Sequence, residues 1–91
     1  MRNLRTELKN SQPYFIERDL IDKLYFKEDE KNSEYWIFFY SFIRGLSDEA
    51  IGIRLGNYDR YQIYRRTIKI LETNKCLIEE FLSNPIVKRS K

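Results

Sequence analysis

Apolar residues recur along this chain at the three- and four-residue spacing of helices, not in the alternation of strands. Tyr14, Ile16, Leu20, Ile21 and Leu24 form one such stripe, and Ser11 with Pro13 marks its start, because proline is tolerated in a first helical turn. The spacing predicts a helix from Gln12 to Phe26. Upstream, Met1 to Asn10 is charged and offers only Leu4 and Leu8, so a weak helix or arm is expected there. Lys27 to Asn32 reads as a charged connector, and Ser33 suits a helix cap. The following run, EYWIFFYSFIRGL, is dense in aromatic rings and fits a buried helix or a strand equally by period. No second strand-like segment exists to pair with it, so a helix from Tyr35 to Arg44 is expected, broken by Gly45. Near the end, Glu72 to Asn74 should fray or bend, and Leu77, Ile78, Phe81 and Leu82 predict a last helix that stops before Asn84 and Pro85. Without internal repeats or a low-complexity linker, the 91 residues read as one all-α domain, a small helical bundle with flexible ends at 1–10 and 86–91.

Residues 46–71, LSDEAIGIRLGNYDRYQIYRRTIKIL, predict two short amphipathic helices joined by a glycine-containing turn, the organisation of a helix-turn-helix. Ser47 can cap the first helix, and Asp48 and Glu49 favour its positive end. Ala50, Ile51, Ile53 and Leu55 supply its apolar positions. Gly52 costs about 1 kcal/mol in a helix interior unless close packing recovers it, which suggests a tight crossing there. Gly56 sits where the chain must leave the helix at Leu55 or Gly56. Asp59 and Gln62 then form a capping-box pair, and the second helix opens at Arg60. Ile63, Thr67, Ile70 and Leu71 fall on one face of it. Arg60, Tyr61, Tyr64, Arg65 and Ile68 fall on another.

The run LSDEAIGIRLG followed by RYQIYRRTIKIL resembles the helix-turn-helix in the C-terminal DNA-binding region of bacterial sigma factors. It is more similar still to the small ArpU-type transcriptional regulators carried by phages of Gram-positive bacteria. Gly52, Gly56 and Ile63 carry the resemblance, which extends roughly over residues 34–71 and so over less than half the chain. The segment between Gly56 and Asp59 is one residue longer than the family pattern, with Asn57 as the extra residue. The resemblance implies a phage-type regulator acting on double-stranded DNA and allows contact with RNA polymerase.

The formal charge of +3 matters less than its placement. From Arg44 to Lys69 there are six bases against three acids, whereas from Glu17 to Lys31 there are six acids against four bases. The positive field therefore concentrates on the proposed helix-turn-helix. Arginine can offer paired donors to guanine, and tyrosine can meet a phosphate or a thymine methyl. Arg60, Tyr61, Tyr64 and Arg65 are the expected base contacts, and Arg44, Ser47, Arg54, Arg66 and Lys69 the expected phosphate contacts.

The chain has no histidine, no glycine-rich phosphate loop and no GxSxG, so an enzyme is not expected, nor a cofactor or metal. The run Glu28, Asp29, Glu30 reads as a solvated charge cluster. A lone cysteine, Cys76, excludes an intramolecular disulfide and fits a reducing, cytoplasmic setting. No apolar run is long enough to span a membrane, and the start lacks a signal peptide's apolar block. Two alternatives stand beside the DNA reading. Tyrosine and arginine also dominate protein interfaces, so the same scaffold could occupy and inhibit or redirect a host protein. A DNA-packaging adaptor resembling small terminase subunits is a third, weaker option. The aromatic stretch Tyr35–Ile43 either fills the core or forms a homodimer surface.

Overall fold

The computed structural model describes residues 3–27, 34–56 and 58–83. These form six α-helical segments with no strand among them: α1 (Leu4–Lys9), α2 (Pro13–Phe15), α3 (Glu34–Phe38), α4 (Asp48–Gly56), α5 (Arg60–Thr73) and α6 (Lys75–Ser83). The all-α bundle expected from the spacing is the fold observed. Asn57 and residues 86–91, with the acidic run at 28–30, lie outside the described residues.

The N-terminal segment departs from its expectation as a loosely held arm. Asn3 caps α1 by accepting from the Thr6 amide at 3.1 Å, and Leu8 is completely buried. Arg5 reaches Asp48 at the start of α4, its Nη2 donating to both carboxylate oxygens at 2.8 Å. Its one buried leucine and one ion pair bind α1 to the bundle, and a partner 43 residues away is invisible to local periodicity.

The helix expected from Gln12 to Phe26 also differs. Proline opens it as predicted, but α-helical winding ends at Phe15 and gives way to a π-helical stretch, Ile16–Leu20, and a 3₁₀ turn, Ile21–Lys23. Leu24 is already extended. The altered winding brings Ile16, Leu20, Ile21 and Leu24 all into the core. What stops the helix is a side chain from far along the sequence. Asn74 accepts the Tyr25 amide at 2.7 Å and donates to the Tyr25 carbonyl at 2.9 Å, so this backbone has no need of a further helical turn. The bend expected at residues 72–74 is therefore a buried polar clamp between α5 and α6, not a frayed end.

The aromatic run is helical, as α3 followed by a π-helical stretch, Phe39–Ile43. Gly45 ends it with φ +72°, and the Leu46 amide closes back on the Tyr40 carbonyl at 2.9 Å. Ile37, Phe38 and Phe42 point inward, with Ser41 buried beside them. Together with Leu8, Ile16, Leu20, Ile51, Ile63, Ile70 and Ile78 the three apolar residues make one core drawn from every long element. Each such aliphatic or aromatic side chain contributes about 1.5–3 kcal/mol by burial. Among the described residues no helix is long and apolar enough to cross a membrane.

Candidate nucleic-acid interface

The candidate site is set by how α4 delivers the chain into α5. Ser47 caps α4 through its hydroxyl, which accepts from the Ala50 amide at 3.2 Å. One turn later the following loop lies directly on the helix, and the Tyr58 amide donates to the Gly52 carbonyl at 3.0 Å. A Cβ on Gly52 would collide with the Tyr58 carbonyl oxygen, so only glycine permits this approach. Gly56, at φ +119°, turns the chain out of α4. Asp59 and Gln62 then form the expected capping box: the Asp59 carboxylate accepts from the Tyr61 amide at 3.4 Å, and Gln62 Oε1 accepts from the Asp59 amide at 2.9 Å.

Beyond the cap, α5 buries the predicted face of Ile63, Thr67, Ile70 and Leu71. Thr67 satisfies its buried hydroxyl by donating to the Ile63 carbonyl at 2.8 Å. The opposite face carries Tyr61, Arg65 and Lys69, all exposed; Arg60 departs from the face expected for it, since it stands in register with Ile63 and Thr67 and is exposed at the helix start beside Glu49 and Ile53 of α4. Tyr61, at 58% exposure, is the most open large ring of α5. Arg60 stacks over it at 5.1 Å and Arg65 Nε donates to its carbonyl at 3.4 Å, so the three side chains form a local group. None of Arg60, Arg65, Arg66 and Lys69 is in an ion pair with a described residue; the described pairs are Arg5–Asp48 and Arg18–Asp19.

Other predicted contacts separate from this face. Tyr64 stands on its flank toward α1, where the Arg5 guanidinium lies 5.0 Å from its ring centre. Arg66 and Ile68 are half-buried on opposite flanks. Arg54 sits over the Tyr40 ring at 5.4 Å, Arg44 is exposed at the end of the aromatic helix, and the Ser47 hydroxyl is taken up in capping. Ile53, one of the apolar positions assigned to α4, is 65% exposed and so no part of the core.

One basic residue beside this surface was not indicated by the sequence: Lys27 lies with Glu34, Tyr58, Gln62, Arg65, Arg66 and Lys69 around a groove of about 440 Å³. The Lys27 amide donates to Glu34 Oε1 at 2.9 Å, which fixes this end of the groove. Its place in a charged connector gives no local sign that it meets α5.

The possible dimer stretch, Tyr35–Ile43, is divided by the fold. Half of its length faces the core, and the outward remainder is a ring cluster in which Trp36, 45% exposed, lies 5.2 Å from Tyr35, 5.6 Å from Phe39 and 5.7 Å from Tyr40. Among the described residues no group of acidic or cysteine side chains is arranged to hold a metal ion. No protein-family model matches this chain, and no curated protein or solved structure is similar to it at a significant level.

Proposed function

We propose that this chain binds double-stranded DNA by laying the exposed face of α5 in the major groove, N-terminal end first. The observation that carries the reading is the cluster of Tyr61, Arg65 and Lys69 on one solvent face, with Arg60 stacked on Tyr61, and with no ion pair to any of these cations among the described residues. The α4–α5 pair then acts as a helix-turn-helix, with the Gly52 crossing setting the angle at which α5 projects. The 14 residues of α5 span about 21 Å, long enough to lie in a groove about 12 Å wide.

In this arrangement Arg60, Tyr61 and Arg65 reach base edges, with Tyr64 at the margin, while Arg44, Arg54, Arg66 and Lys69 contact phosphates. Ser47 contributes to this interface by holding the start of α4. The resemblance to phage regulators makes transcriptional control the role for such binding, in the cytoplasm and beside RNA polymerase. Four phosphate contacts predict a log–log salt slope of roughly −3.6 for binding to random duplex. The test is anisotropy of a labelled random duplex across a salt series. Steep salt dependence is the expected result; absence of binding by the folded protein at about 50 mM salt would overturn the reading. In that case the exposed arginine and tyrosine face belongs to a protein partner.

A further inference from the structure

We infer that the groove between α5 and the start of α3 is a binding site for a small anion bearing two or more linked phosphates, of the oligophosphate or nucleoside polyphosphate class. It is concave, and its volume of about 440 Å³ lies within the size range of small-molecule sites.

The charges suit a compact polyanion. Among the described residues the groove is lined by four cations, Lys27, Arg65, Arg66 and Lys69, and one acid, Glu34, one oxygen of which already accepts the Lys27 amide. Arg65, Arg66 and Lys69 fall at helical spacings that place them along one side of the groove, and Lys27 closes it from a different part of the chain. Arginine forks bind phosphate oxygens in pairs, and lysine adds a mobile point charge. None of these cations is neutralised by an ion pair among the described residues.

Arg65 and Lys69 belong both to the groove and to the exposed face of α5. An oligophosphate seated there therefore competes with DNA for them. This competition rests on the DNA reading above; the anion site itself does not.

The experiment is calorimetric titration of the full chain with inorganic tripolyphosphate and, separately, adenosine triphosphate, at about 150 mM salt. Saturable one-to-one binding is expected. Lys27→Gln and Arg66→Gln should each weaken it roughly fivefold or more, whereas Lys75→Gln, the same charge loss on α6, should change it less than about twofold. Circular dichroism checks that each variant is folded. Equal binding of the two ligands assigns the site to the phosphate chain alone, and tighter binding of the nucleotide adds a base contact at Tyr58; both support the inference. No saturable binding, or equal weakening by all three substitutions, overturns it. A parallel titration against labelled duplex separates the two readings. Tripolyphosphate binding without DNA binding removes the DNA reading and leaves the site. DNA binding without groove-dependent tripolyphosphate binding does the reverse.

Discussion

Two clusters of arginine and tyrosine, one on the flank of α5 toward α1 and one on its exposed side, are built from the same residue types to opposite effect. In one, Arg5 is held by both oxygens of Asp48 and stacked near Tyr64, with Arg5 and Asp48 side chains only 21% and 19% exposed. In the other, Arg60, Tyr61, Arg65 and Lys69 stand in solvent with no ion pair to a carboxylate among the described residues. The first cluster spends its charge inside the molecule, fastening α1 to α4. The second leaves its charge available to an outside polyanion. Composition cannot separate them; burial and a counter-ion do.

The largest effect is expected from removing the platform that projects the exposed cluster. Gly52→Ala drives a methyl group into the Tyr58 carbonyl, which is backbone and cannot swing aside. A loss of about 3 kcal/mol follows, read as a fall in the urea midpoint, and DNA binding should fall with it because the start of α5 is displaced. Next comes Arg5→Met, which leaves a half-buried Asp48 without its partner. It should cost about 1–2 kcal/mol, lowering Tm by roughly 5–15 °C, with little change in DNA affinity measured where the variant is folded.

Arg65→Ala is the converse. Stability should change by less than about 0.5 kcal/mol, since the side chain is exposed and its Nε makes only a long hydrogen bond to the Tyr61 carbonyl, while duplex affinity should drop about tenfold. The smallest effect concerns Lys9, beside the paired cluster. Partial burial, and then the charge of Arg5, hold its ammonium below its ordinary pKa of 10.5, against a smaller opposing pull from Asp48. The folded chain thus releases this proton before the unfolded chain does. Between the lowered pKa and 10.5 the unfolded state binds more protons, so stability contributed by this group rises with pH. The stability difference between wild type and Lys9→Met should therefore move in favour of wild type as pH climbs through that window, as followed by denaturant titration.

Much of this fold was legible because its signals are local. The capping box at Asp59 and Gln62, the turn glycine Gly56, the buried face of α5 and the start at Pro13 each depend on residues within one or two turns of each other. What the sequence concealed is long-range. Asn74 reads as a helix breaker at a frayed end, yet it is 4% exposed and clamps Tyr25 from 49 residues away. Leu8 alone looks too little to anchor α1 until Arg5 finds Asp48. The π-helical stretches at Ile16–Leu20 and Phe39–Ile43 answer to packing, and no residue within them announces the change of winding. At the candidate site, the exposure of Tyr61 and Arg65 was legible from helical spacing, although that spacing grouped Ile68 with them and not Lys69. Lys27 and the diversion of Tyr64 toward Arg5 were not legible, because both require knowing which elements meet.

The division between the paired and unpaired clusters is tested most directly by measuring three proteins side by side. Wild type, Arg65→Ala and Arg5→Met are each titrated into labelled duplex at low salt, at a temperature where all are folded, with thermal melts recorded on the same samples. Arg65→Ala should lose about tenfold in affinity at unchanged Tm, while Arg5→Met should lose Tm at nearly unchanged affinity. Wild-type affinity retained by Arg65→Ala, or lost by folded Arg5→Met alone, would contradict that division.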